Sequence, residues 1–88
     1  MKTIKLFVLE NCPYCRRALT YLAELQAEEN YAAITVEMID EIKESALAAT
    51  YNYYYVPAIY YQQEKLHEGV LSLERLREIL DYVEQKAE

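Results

Sequence analysis

The chain's only two cysteines, Cys12 and Cys15, sit between an apolar run at residues 4–9 and a helix-like stretch at residues 16–29. Pro13 and Tyr14 separate them. This spacing puts a dithiol at the start of a helix, where free backbone N–H groups and the helix dipole favour negative charge. A thiol there ionises more readily, and the thiolate is the species that attacks a disulfide. Two residues of separation also let the second sulfur reach the first, so a mixed disulfide formed at one can be released by the other.

With 88 residues the chain is long enough for one compact domain, residues 1–88, and no more. Hydrophobic residues make up 53%, which argues against disorder. The formal net charge of −6 argues against nucleic-acid binding, which needs a basic patch. It serves solubility, or it steers the chain toward a basic partner. The apolar run after the N-terminal lysines ends at Glu10 and lacks a small-residue cleavage site, so it does not read as a signal segment. No stretch reaches the roughly 20 apolar residues of a membrane span. The expected location is the cytoplasm, where a lone Cys-x-x-Cys is more often catalytic or metal-binding than a structural staple.

Residues 3–9 (TIKLFVL) read as a buried strand. Asn11 is the expected helix cap, and Pro13 suits a first turn because its missing N–H would be unpaired there. Cys15, Ala18, Leu19, Leu22 and Leu25 recur at helical spacing, so Cys15 should face inward and Cys12 outward. Residues 33–39 predict a second strand. Asp40 is placed to cap a helix over 41–51 with Ile42, Ala46, Leu47 and Ala49 on its apolar side, ending at Asn52. Residues 58–62 and 65–70 predict a hairpin, though Gln63-Glu64 is not a usual turn pair. Ser72 caps a last helix whose Leu73, Leu76, Ile79, Leu80 and Val83 share a face, and residues 85–88 should fray. The fold class is α/β, in the order β-α-β-α-β-β-α. The first two strands should be parallel through a right-handed crossover and the last two antiparallel.

The strand–Cys12-Pro13-Tyr14-Cys15–helix unit, followed by Arg16-Arg17-Ala18 and by Val56-Pro57 at the start of the third strand, resembles the glutaredoxins of the thioredoxin-like superfamily. Pro57 lies 42 residues after Cys15, and the likeness covers nearly the whole chain. It implies a four-stranded mixed sheet flanked by three helices and a thiol–disulfide oxidoreductase, with Cys12 as nucleophile and Cys15 as resolving thiol. It implies a cis bond at Pro57, facing the dithiol, and pairing of the Val56 backbone with the substrate backbone. Pro13, Tyr14, Tyr55, Val56, Pro57 and Gly69 are the expected substrate-binding residues. No bound cofactor or metal is implied. The partners would be disulfide-containing proteins and a reductant, either glutathione or a flavin-dependent disulfide reductase. A monomer is expected, with no nucleic-acid or membrane partner.

Departures from the family pattern fall on the glutathione site. Leu9 stands where glutathione-using members usually carry Lys, and acidic Glu10 follows it. Tyr55 replaces their Thr, and 67–72 (HEGVLS) offers one Gly and no Asp where they show a Gly-Gly-x-x-Asp-like turn.

Several residues keep two readings. Arg16 and Arg17 either stabilise a Cys12 thiolate or form a solvated helix face, where exposed charges are worth little. Tyr14 either shapes a groove or is a rim aromatic. Of the tyrosines at 51, 53, 54, 55, 60 and 61, Tyr51 and Tyr60 suit the core, and Tyr54 and Tyr55 suit a groove. His67 reads as a strand residue rather than a base. Zinc within one chain lacks ligands, since there is one His and no second Cys pair. A dimer bridging an iron–sulfur cluster through two Cys from each chain is the alternative from a different class.

Overall fold

The computed structural model describes residues 2–86, except for the side chain of Glu29. The fraying expected at residues 87 and 88 lies outside the described residues. Strand β1 (Lys2–Val8) leads into helix α1 (Pro13–Gln26), and a 3₁₀ turn at Glu29–Tyr31 precedes β2 (Ile34–Asp40). A short helix α2 (Ser45–Ala48), strands β3 (Ala58–Tyr61) and β4 (Glu64–Glu68), and helix α3 (Leu73–Glu84) complete the order. The sheet runs β2-β1-β3-β4. β1 and β2 are parallel, whereas β1–β3 and β3–β4 are antiparallel. This is the expected α/β, four-stranded mixed architecture.

Both faces of the central strands are covered, which is why all four residues of β3 are buried. Side chains alternate across a strand, so Tyr60 and Tyr61 enter different cores. Tyr61 joins Ile4, Leu6, Leu22, Leu25, Ile59, Leu76 and Leu80 beneath α1 and α3. Tyr60 joins Phe7, Ile39, Ala48 and Ala58 on the opposite face. From the edge of this core, buried Tyr31 donates to Asp81 at 2.5 Å, and Arg77 grips both carboxylate oxygens of Glu28 at 2.9 and 3.0 Å, tying the end of α1 to α3. Ser72 caps α3 as expected, accepting from the Arg75 N–H.

The opposite face departs from expectation. In place of a helix over 41–51 there are turns and the four residues of α2. Asp40 does accept from the N–H groups of Ile42 and Lys43, and these two bonds hold its carboxyl below the ordinary carboxylate range. Glu44 then leaves helical geometry (φ −120°, ψ 48°), and Ile42 is 73% exposed instead of buried. Packing explains the short helix. Tyr51 and Tyr53 close on Phe7, each ring 4.9 Å from its centroid, and Tyr60 meets both Phe7 and Tyr51 edge-on. Aromatic pairs of this kind each contribute about 0.5–1.5 kcal/mol beyond the area they bury.

The hairpin turn lies one residue earlier than expected, at Gln62-Gln63 in place of Gln63-Glu64. Gln62 takes a left-handed φ of 56° in the turn. The β3–β4 register slips between Ile59 and Tyr60, leaving Leu66 as an extra residue in β4.

Candidate active site

β1 ends where β3 begins, because Phe7 pairs with Ala58. The segment after Val8 and the segment before Ala58 therefore emerge at the same end of the sheet. The first carries Cys12 and the second carries Pro57. The Val56–Pro57 bond is cis, as the family resemblance implied. Pro57 is buried, and half-buried Val56 packs against both cores.

Cys12, and not Asn11, is the N-cap of α1. Asn11 takes a left-handed φ of 59°, which Asn tolerates, and passes the capping position to the next residue. The Cys12 sulfur accepts the Cys15 backbone N–H at 3.2 Å. Pro13 at the first helical position has no N–H of its own. The helix start thus aims a donor at a sulfur that is half-exposed to solvent, an arrangement suited to negative charge on that sulfur.

Cys15 is the buried partner, 2% exposed, under Val8, Ala18 and Leu22 in the α1 core. Burial pushes its thiol up to about 12, helped by its hydrogen bond with Cys12. Both cysteines are free thiols. Near neutral pH iodoacetamide should label Cys12 and spare Cys15, a difference that peptide mass mapping would show. Because the folded protein holds the Cys15 proton more tightly than the unfolded chain, this contribution to stability is complete below the ordinary thiol value of 9.0. It is lost as pH rises toward about 12. Cys15→Ala should flatten the alkaline arm of a denaturation-versus-pH curve. An unchanged arm would contradict the assignment.

The remaining expected site residues divide between the rim and the supporting structure. Tyr14 is 48% exposed with the Arg17 guanidinium 6.0 Å above its ring. Arg16 is exposed, and no ion pair to it occurs among the described residues. Glu10 is exposed too, and its carboxylate faces Lys43 at 3.5 Å. An open groove of about 370 Å³ runs from Leu9 and Glu10 past Cys15 and Arg16 to Met38 and Lys43. Tyr54 and Tyr55 are 83% and 68% exposed, whereas Tyr51 and Tyr53 belong to the Phe7 cluster. Tyr53 also donates to Glu41 at 2.8 Å, and burial raises its hydroxyl's pKa.

Gly69 needs its glycine for the backbone. Its φ of +92° is one that side chains resist, while a methyl group there would meet Tyr55 Cβ only at an ordinary 3.8 Å. Its N–H donates to the Pro57 carbonyl at 2.9 Å. His67 is half-buried in β4 with Nε2 2.9 Å from the Val70 carbonyl, so it helps to close the turn into α3.

Glu68 did not stand out in the sequence. One of its carboxylate oxygens accepts the N–H groups of both Tyr54 and Tyr55, at 2.9 and 3.1 Å, and the other meets Lys65. The Lys65 ammonium and these two N–H groups hold its carboxyl below the ordinary range. No local pattern announces such contacts, which join residues 13 and 14 positions apart.

A family model described as "Thioredoxin domain" matches residues 2–81. No curated protein matches the chain. Among solved structures, thioredoxin O2 from Arabidopsis thaliana in its oxidised state superposes with a TM-score of 0.74 at 20% identity, over 97% of this chain and 76% of that one. A structure described as that of a malarial protein also gives 0.74, at 19% identity over 93% and 96% of the two chains. A mutant thioredoxin from Halobacterium salinarum gives 0.72, at 19% identity over 99% and 78%. At these identities the structural likeness speaks for the fold alone.

Proposed function

The chain belongs to the thioredoxin-domain family, and on that premise we propose that it is a dithiol–disulfide oxidoreductase working through Cys12 and Cys15. The observation that carries this reading is the sulfur pair at the start of α1: one half-exposed and hydrogen-bonded to a helix N–H, the other buried next to it. In this reading the Cys12 thiolate attacks one sulfur of a substrate disulfide. A Cys12–substrate disulfide forms, and the other substrate sulfur leaves and takes a proton. Cys15 then attacks the Cys12 sulfur, gives its proton to the departing thiolate, and closes the Cys12–Cys15 disulfide. Two electrons pass from the dithiol to the substrate, and an external reductant restores them.

Tyr14 and Val56 form the substrate surface in this proposal, buried Pro57 sets the Val56 backbone, and that backbone is offered to a peptide strand. Partners are disulfide-containing proteins, the acting form is a monomer, and the compartment is the cytoplasm. For the reductant, glutathione follows from the glutaredoxin-like Cys-Pro-Tyr-Cys. A second reading, recycling by a flavin-dependent disulfide reductase, is favoured by the positions of the expected glutathione contacts. Leu9 is apolar, Tyr55 is an exposed aromatic, and the Glu68 carboxylate already occupies two backbone donors of the loop. The two readings separate in one assay. Reduction of a glutathione mixed disulfide is followed with glutathione and its reductase, and in parallel with thioredoxin reductase. Turnover with the flavin enzyme alone is expected from the second reading, and turnover with glutathione from the first. Inactivity with both, and with dithiothreitol, would overturn the proposed function.

A further inference from the structure

We propose that Glu68 is a positioning residue: by accepting the Tyr54 and Tyr55 backbone N–H groups, its carboxylate holds the segment leading to Val56 in the place where a disulfide-bearing polypeptide aligns. This deepens the proposed function and rests on it. Register places Glu68 opposite Ala58, next to Pro57 in the chain. From there one oxygen reaches back to both amides at 2.9 and 3.1 Å. The other oxygen is taken by Lys65, which orients the carboxylate toward the segment.

The segment has little else to fix it. Tyr54 and Tyr55 point their rings into solvent, so burial does not hold them. Anchoring comes from Tyr53 on Phe7 at the start of the segment, from half-buried Val56 and from the neighbouring Gly69 N–H on the Pro57 carbonyl. A carboxylate bonded to two N–H groups makes charge-assisted contacts, stronger than a neutral acceptor would make. It also consumes two adjacent amide donors that would otherwise be open to a carboxylate or carbonyl of an incoming molecule. The loop therefore meets a substrate with its Val56 backbone set and its Tyr54 and Tyr55 donors filled.

The test compares wild type with E68A and E68Q on two disulfides. Insulin must be aligned as a polypeptide; dithiobis(nitrobenzoate) needs only the sulfur of Cys12. E68A should raise KM for insulin at least about tenfold, the low end of what one charge-assisted hydrogen bond contributes, with kcat and the rate on the small disulfide nearly unchanged. E68Q keeps an acceptor oxygen without the charge and should recover about half of the loss. In the free protein, amide hydrogen exchange at Tyr54 and Tyr55 should quicken in E68A while amides in β1 and α1 stay protected. A variant that loses both reactions in parallel, or neither, overturns the positioning role. Unaltered exchange at the two amides overturns it as well. If wild type reduces neither disulfide, the oxidoreductase reading fails instead, and the exchange experiment alone decides whether Glu68 holds the segment.

Discussion

Cys12→Ser is expected to lower disulfide-reducing turnover by at least about a thousandfold while leaving the fold intact. The loss follows from chemistry. A serine hydroxyl does not ionise in the neutral range, so no anion is present to attack a disulfide. Cys15 cannot replace it, because its sulfur is buried under the α1 core and burial raises its pKa to about 12. The fold should survive because serine is among the best helix caps. Its oxygen can accept the Cys15 N–H that the Cys12 sulfur accepts now. Insulin reduction with dithiothreitol, alongside a denaturation midpoint, separates the two effects. Wild-type turnover in Cys12→Ser would remove Cys12 from the mechanism.

The second large effect is on stability. Phe7→Ala should destabilise the protein by about 3–5 kcal/mol, and so lower its Tm by more than about 10 °C. Phe7 is fully buried and is the ring on which Tyr51, Tyr53 and Tyr60 converge. Among the described residues, the short α2, Tyr51, Tyr53 and Val56 pack over Phe7 on this face, so little structure is available to collapse into the space left behind. A domain of this size has a total stability of roughly 4–13 kcal/mol, so the loss is a large share of the whole. Activity should fall with it at moderate temperature, because Tyr53 and Val56, which lead into Pro57, rest on the same cluster. Urea denaturation measures the change. A loss below about 1 kcal/mol would mean that the aromatic face contributes little to the fold.

Most of the architecture was legible because its signals are local. Five apolar residues at helical spacing in α1 put Cys15 inside, and the alternation of β3 sent Tyr60 and Tyr61 to opposite faces. The dithiol at a strand–helix junction and the proline opening β3 located both halves of the site. What the sequence obscured was decided by distant partners. Ile42, Ala46, Leu47 and Ala49 keep helical spacing. Three of the four, Ile42, Ala46 and Ala49, are exposed, because Tyr51 and Tyr53 fill the space over Phe7. Asn11 has the chemistry of a cap, yet its tolerance of a left-handed backbone was used instead, and Cys12 became the cap. Glu68 reads as one more acidic residue in a chain of net charge −6, since its two amide partners are brought to it by the hairpin and not by sequence.

The intact mass of Cys15→Ser, after incubation with a disulfide substrate and removal of the excess, reports whether Cys12 attacks and Cys15 resolves. That order of attack predicts one stable covalent adduct per chain, located at Cys12 and released by dithiothreitol, with wild type under the same conditions passing to its internal disulfide. No adduct on Cys15→Ser, or an equal adduct on Cys12→Ser, would contradict it.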